Sequence, residues 1–182
     1  MNLAEPGEFD RAYLATDDPR AQSGFHGSAD RWEAARRGIA EAIDRDGTFL
    51  DVGCANGLLM ESVVAWSRFR VEPYGIDFAP GLVELAQERF GDRVWLADAQ
   101  TWQPPFRFDF AHIRLEYFEP SMLRFARRVI VSSDGSFRRP ESPKAEPVPD
   151  RLRELGLEPA GELYHRDDQH LVELSVAWVD QD

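Results

Sequence analysis

Thr48-Phe49-Leu50-Asp51-Val52-Gly53-Cys54-Ala55-Asn56-Gly57-Leu58-Leu59-Met60 is the stretch on which the reading of this chain turns. Phe49, Leu50 and Val52 are apolar and suit a parallel strand covered on both faces. Gly53 and Gly57 bracket a turn, the place where backbone bends through positive φ or comes close to a ligand. Leu58, Leu59, Val63 and Val64 then recur at helical spacing. The stretch therefore predicts strand, glycine turn and helix, with the free N–H groups of the helix N-terminus aimed over the turn.

Such a unit builds a nucleotide site, and these features alone leave its kind open. The dinucleotide fingerprint is G-x-G-x-x-G, whereas here Gly53 and Gly57 are separated by three residues and Ala55 stands between them. Asp51 ends the strand, and a carboxylate aimed at a pyrophosphate is costly. A ligand with a cationic amino group welcomes it. S-adenosylmethionine has such a group, a sulfonium, and no phosphate. The pattern resembles the first motif of class I S-adenosylmethionine-dependent methyltransferases, D/E-x-G-x-G-x-G. Asp51, Gly53 and Gly57 match it, and Ala55 replaces the middle glycine. The resemblance implies S-adenosylmethionine as cofactor, held around Asp51, Gly53, Cys54, Ala55, Asn56 and Gly57. An ordinary βα turn without ligand is the competing reading of this motif alone.

Upstream, residues 1–27 mix acids, Gly and Pro and read as an N-terminal arm or lid, with Phe9, Tyr13 and Leu14 on one short amphipathic helix. Gly24-Phe25-His26-Gly27 reads as a flexible turn. Asp30 with Glu33 resembles a capping box for a helix whose apolar stripe is Trp32, Ala35, Ile39 and Ile43. Residues 28–182 read as a single Rossmann-like domain.

Downstream, a helix runs to about Trp66, and Tyr74–Asp77 is the second strand. An acid in that place hydrogen-bonds ribose hydroxyls in doubly wound sheets, which assigns Asp77 to the ribose and Phe78 to packing on the adenine. Val94–Ala97 is the third strand, ended by Asp98. The resemblance implies that Asp98 accepts from the adenine amino group, with Ala99 and Gln100 beside it. Phe108–Ile113 is the fourth strand. Glu119–Arg128 reads as a helix of two to three turns running into a fifth strand at Val129–Val131, without the Pro-Gly or Gly-Gly turn usual in the family. Asp134-Gly135 reads as a turn and residues 140–149 as an extended loop, followed by a helix to Leu155 and strands at Ala160–His165 and Leu171–Trp178. The alternation establishes α/β. The resemblance implies a three-layer αβα sandwich whose seven-stranded, mostly parallel sheet has the order 3-2-1-4-5-7-6, the last strand antiparallel.

The totals narrow the function. The chain has 182 residues and a formal net charge of −12. That charge repels phosphate backbones and argues against nucleic acid as partner. Arg124, Arg127, Arg128, Arg138 and Arg139 are read as balancing neighbouring acids. No apolar run approaches the roughly 20 residues of a membrane span, the N-terminus lacks signal-peptide features, and the one cysteine, Cys54, suits a reducing cytoplasm. No Cys/His cluster has metal spacing, so no metal is expected. The resemblance thus implies methyl transfer to a small-molecule acceptor. A binding module or regulatory subunit without transfer activity is the alternative, motivated by the short connection after the fourth strand.

Methyl transfer needs alignment and exclusion of water, and needs a base only when the acceptor must lose a proton early. The candidates are His26, whose reference pKa suits a base, and Tyr117, which follows the fourth strand with Arg114 and Glu116. His112 alternates with apolar neighbours and reads as a hydrogen-bonded core residue, and Cys54 as a packing residue. The fourth strand, Asp109-Phe110-Ala111-His112, lacks the D/N-P-P-Y/F run of exocyclic-amino base methyltransferases, and no Pro-Cys nucleophile exists.

Overall fold

The structure is a computed structural model and describes residues 6–137 and 141–181. Met1–Glu5 of the arm, Arg138, Arg139 and Pro140 lie outside the described residues, as does the side chain of Phe9. Among the described residues five α-helices and seven strands follow in the order α1 (Pro6–Tyr13), α2 (Ala29–Glu41), β1 (Gly47–Val52), α3 (Leu58–Trp66), β2 (Val71–Asp77), α4 (Pro80–Phe90), β3 (Val94–Leu96), β4 (Phe108–Arg114), β5 (Ala126–Ser136), α5 (Val148–Glu154), β6 (Gly161–Asp167) and β7 (Val172–Asp180). The strands form one sheet in the order β3-β2-β1-β4-β5-β7-β6. All neighbours up to β5 are parallel, and β7 runs antiparallel to both β5 and β6. This is the expected topology. Among the described residues no helix is long and apolar enough to cross a membrane.

Two faces are buried because successive strand residues point to opposite sides. Phe49, Phe110 and Ile130 face α2 and α3 and pack with Trp32, Ala35, Ile39, Leu59 and Val63. Leu50, Ala111, Val129 and Val131 take the other face with Met122, Phe125, Val148 and Leu152. Each fully buried side chain of this size contributes about 1.5–3 kcal/mol, so the centre of the sheet is the most strongly held part of the domain.

Four local readings are corrected. The N-cap of α2 is Ser28, whose Oγ accepts from Arg31 N at 3.3 Å, while Asp30 lies inside the first turn and favours the helix dipole from there. Glu119–Arg128 is not an α-helix: Pro120–Phe125 is a 3-10 segment and β5 already begins at Ala126. Phe108 of β4 pairs with Ala126, and strand pairing overrides the local helical preference there. Asp134-Gly135 does not turn the chain but sits inside β5, paired with Leu174 and Glu173 of β7. The segment read as an extended loop is one, and over 143–148 it is hydrogen-bonded to that pair of strands. Ala145 N donates to Glu173 Oε1 at 2.9 Å, Glu146 N to Ser133 Oγ at 2.9 Å and Val148 N to Ser175 Oγ at 3.0 Å. A Cβ on Gly135 would lie 2.1 Å from Ala145 N, so the crossing requires glycine. The second strand is also longer than expected and passes through Pro73. Its β3 neighbour begins only opposite Gly75, so no ladder is interrupted on that side.

Candidate functional site

The C-terminal ends of β1, β2 and β3 meet at the glycine turn. The chain passes Gly53, Ala55 and Gly57 at φ 79°, 47° and 81° before α3 starts. Gly53 N and Cys54 N both donate to Ile76 O, at 2.8 and 3.0 Å, which stitches the turn to β2. A Cβ on Gly53 would meet nothing within 4 Å, whereas one on Gly57 would lie 2.9 Å from the Phe90 ring. The turn is therefore open above Gly53 and closed at Gly57.

Asp77 ends β2 and holds the turn. Its Oδ2 accepts from Ala55 N at 2.8 Å and its Oδ1 from Ala79 N at 2.9 Å. Burial pushes its carboxyl above the ordinary range, opposed by those N–H groups and reinforced by the nearby Asp51 charge. Three backbone N–H groups therefore bear on this carboxylate, those of Ala79, Ala55 and Phe78. Ala97 N donates to Asp77 O at 2.9 Å and brings the Asp98 loop alongside. Asp98 is exposed, and its Oδ1 accepts from Gln100 N at 2.9 Å. Arg124 ties this loop down, its Nη2 donating to the carbonyls of Ala99 and Trp102 at 3.3 and 3.1 Å. Phe78 and Ala99 are half-buried and Gln100 is exposed.

Asp51 is placed differently from Asp77 and Asp98. It is 2% exposed and faces β4, where His112 Nδ1 lies 2.8 Å from its Oδ1. His112 Nε2 lies 2.8 Å from Ser132 Oγ on β5. His112 is the hydrogen-bonded core residue the pattern indicates. A second buried polar group sits further along the same strands: Asp134 pairs with Arg36 at 2.8 Å and with Arg114 at 2.5 Å, and Arg114 also reaches Glu116. Burial alone would raise the Asp134 carboxyl, but the two guanidinium groups outweigh it and hold it below the ordinary range.

Asn56 and Cys54 line the turn without facing the open side. Asn56 is fully buried: its Nδ2 donates to Pro19 O at 2.9 Å and Gln22 Oε1 at 3.1 Å, and its Oδ1 accepts from Ser23 Oγ at 2.6 Å and Leu58 N at 3.1 Å. One side chain thus joins the arm to the start of α3. The arm has a second anchor on α4, where Asp10 accepts from Gly81 N at 3.1 Å. Cys54 packs with Met60, Val83, Ala86 and Val94, and burial raises its thiol, with Asp77 and Asp51 adding to the effect. It is a packing residue.

His26 is exposed, while its neighbour Phe25 is buried edge-on against Trp32. Tyr117 is 46% exposed. Partial burial raises its phenol, followed by Glu116 and Tyr13, with Arg114 opposing, so it is a hydrogen-bond donor at neutral pH. The sequence reading missed Ser132 and Asp134, which carry no local signal because their partners come from other strands and from α2. It also missed the latch role of Asn56, although an asparagine just before an apolar helical run is a capping signal.

The sequence matches no protein-family model and none of the curated proteins. Solved structures do resemble it. The N-methyltransferase NodS from Bradyrhizobium japonicum WM9, in complex with S-adenosyl-L-homocysteine, superposes with a TM-score of 0.61 at 14% identity over 96% of this chain and 98% of that one. Magnesium protoporphyrin IX methyltransferase from Synechocystis PCC 6803, with bound SAM, gives 0.58 at 13% identity over 99% and 100%. The 1,6-didemethyltoxoflavin-N1-methyltransferase of Burkholderia thailandensis, with 1,6-didemethyltoxoflavin and S-adenosylhomocysteine bound, gives 0.55 at 20% identity over 100% and 92%. At these identities the likeness is one of fold: the chain has the fold of class I S-adenosylmethionine-dependent methyltransferases.

Proposed function

We propose that this chain is an S-adenosylmethionine-dependent methyltransferase acting on a small-molecule acceptor in the cytoplasm. The observation that carries the reading is Asp77, set at the end of β2 and hydrogen-bonded to the glycine turn beside the open space above Gly53. The residues fit the cofactor. The space above Gly53 admits a ligand against the backbone. Asp77 would accept from the ribose, Asp98 and the Ala99–Gln100 backbone would border the adenine, and Phe78 would pack on its ring. Asp51 supplies negative charge beneath the turn, with His112 fixing its orientation.

When bound, the cofactor supplies an activated methyl carbon on a sulfonium. The protein aligns the acceptor in line with it, at roughly 3–3.5 Å. Tyr117, kept protonated, orients the acceptor by donating a hydrogen bond. His26 takes a proton where the acceptor must lose one. The arm, anchored at Asn56 and Asp10, acts as a lid that excludes water. Among the neighbours by fold, one is named for magnesium protoporphyrin IX and another holds 1,6-didemethyltoxoflavin, and these support a small-molecule acceptor.

Calorimetric titration with S-adenosylhomocysteine tests the reading. Asp77→Ala removes charge-assisted hydrogen bonds worth about 1.5–3 kcal/mol, a loss of about tenfold to a hundredfold in affinity. Equal affinity in the folded variant would refute the assignment. The 3-10 connection between β4 and β5 favours a second reading, a cofactor-binding subunit without transfer. Release of S-adenosylhomocysteine with any acceptor from a small-molecule panel would exclude it.

A further inference from the structure

The two edges of the sheet differ. β3 exposes a strand of three residues, too short to template another chain, whereas β6 exposes seven and pairs only with β7 among the described residues. The outer edge of β6 is flanked by open grooves on both faces. One, of about 240 Å³, is lined by Pro147, Asp150, Arg153, Glu162 and Tyr164. The other, of about 440 Å³, is lined by Asp30, Arg37, Glu41, His165 and Asp167. Tyr164, at the middle of the strand, is 61% exposed.

We infer that β6 pairs antiparallel with β6 of a second copy of this chain, about a two-fold axis at Tyr164, joining the two sheets into one. A two-fold contact must be self-complementary, and Gly161-Glu162-Leu163-Tyr164-His165-Arg166-Asp167 is so in this register. Glu162 of each copy lies opposite Arg166 of the other, on the same face as the central tyrosine pair. Opposite charges across a strand pair stabilise it, and like charges directly opposite destabilise it. Registers centred on Glu162 or Arg166 set like charges on the axis, and those centred on Leu163 or His165 leave the charges unmatched. Glu162 now pairs with Arg153, and Arg166 pairs with Asp168 and lies over the Phe137 ring at 4.1 Å; the two ion pairs are exposed, contribute little and are free to exchange.

The test is analytical ultracentrifugation of the full chain over a concentration series, with a charge-swap set. The wild type should pass from 20.8 kDa to twice that mass. Arg166→Glu alone should weaken association at least tenfold, as should Glu162→Arg alone. The double variant Glu162→Arg/Arg166→Glu should restore it. Circular dichroism verifies that each variant is folded. A wild type that stays monomeric at its highest soluble concentration overturns the inference. So does a dimer that Arg166→Glu leaves intact, since its interface lies elsewhere, and so does a double variant no better than the single ones.

Discussion

Ala55→Gly should stabilise the protein. Ala55 holds φ 47°, inside the left-handed region, and is kept there by its N–H bond to Asp77 at 2.8 Å. An L-residue in that conformation costs about 1–2 kcal/mol because Cβ crowds the following carbonyl oxygen. Glycine removes that crowding and gives back about 0.4–1 kcal/mol through the larger entropy of its unfolded chain. The net gain is about 0.5–1 kcal/mol. In a chain of this size 1 kcal/mol moves the midpoint by about 2–4 °C, so Tm should rise by about 1–4 °C. Thermal unfolding followed at 222 nm measures it, with Ala34→Gly inside α2 as the control, where the same exchange should lower stability by about 1 kcal/mol. The sign difference between the two sites is the content of the prediction. A midpoint for Ala55→Gly that falls as the control's does would refute the reasoning, because it would show that the turn carries no conformational penalty for glycine to relieve.

Gly135→Ala should cost at least about 1–3 kcal/mol through overpacking, since its Cβ meets the backbone at Ala145 and neither chain has room to retreat; urea titration gives the value. Asn56→Asp keeps the acceptor for Leu58 N but loses both donations to the arm, at Pro19 and Gln22. Trypsin should then cut after Arg20 faster than in the wild type while the overall melting midpoint drops by a few degrees, and an arm as resistant as before would show that the latch is not there. Asp134 has a depressed carboxyl, so the stability it contributes is present above the ordinary carboxylate range and is lost as pH falls through its lower folded value. Acid unfolding should therefore steepen below about pH 4, and Asp134→Asn should flatten that limb while destabilising the protein at pH 7 by about 3–5 kcal/mol, because Arg36 is left buried without its counter-charge. An unchanged acid limb in the variant would assign the transition to other carboxylates.

The sheet was legible from residues 48 to 113 because its signals are local. Apolar runs, a glycine turn and acids at strand ends each lie within one element, and Asp51, Gly53, Gly57, Asp77 and Asp98 mark the strand ends as they stand in the sequence. What they could not convey is direction. Asp77 is held at the turn by backbone N–H groups from Ala55 and Ala79, whereas Asp51, with the same local signature, is hydrogen-bonded to His112 of β4. Its partner arrives from a strand that lies beside it only after the sheet has formed, so no window of sequence contains the pair. The same holds past Ile113. Glu119–Arg128 carries helical spacing, but pairing with β4 extends β5 back to Ala126, and a long-range ladder outweighs a local preference worth a few tenths of a kcal/mol per residue. Local chemistry in the chain set the strands, the turn and the acids, and three-dimensional packing chose the hydrogen-bond partners of each acid, how long β5 runs and where Asp134 finds its arginines, since these depend on contacts between residues far apart in sequence.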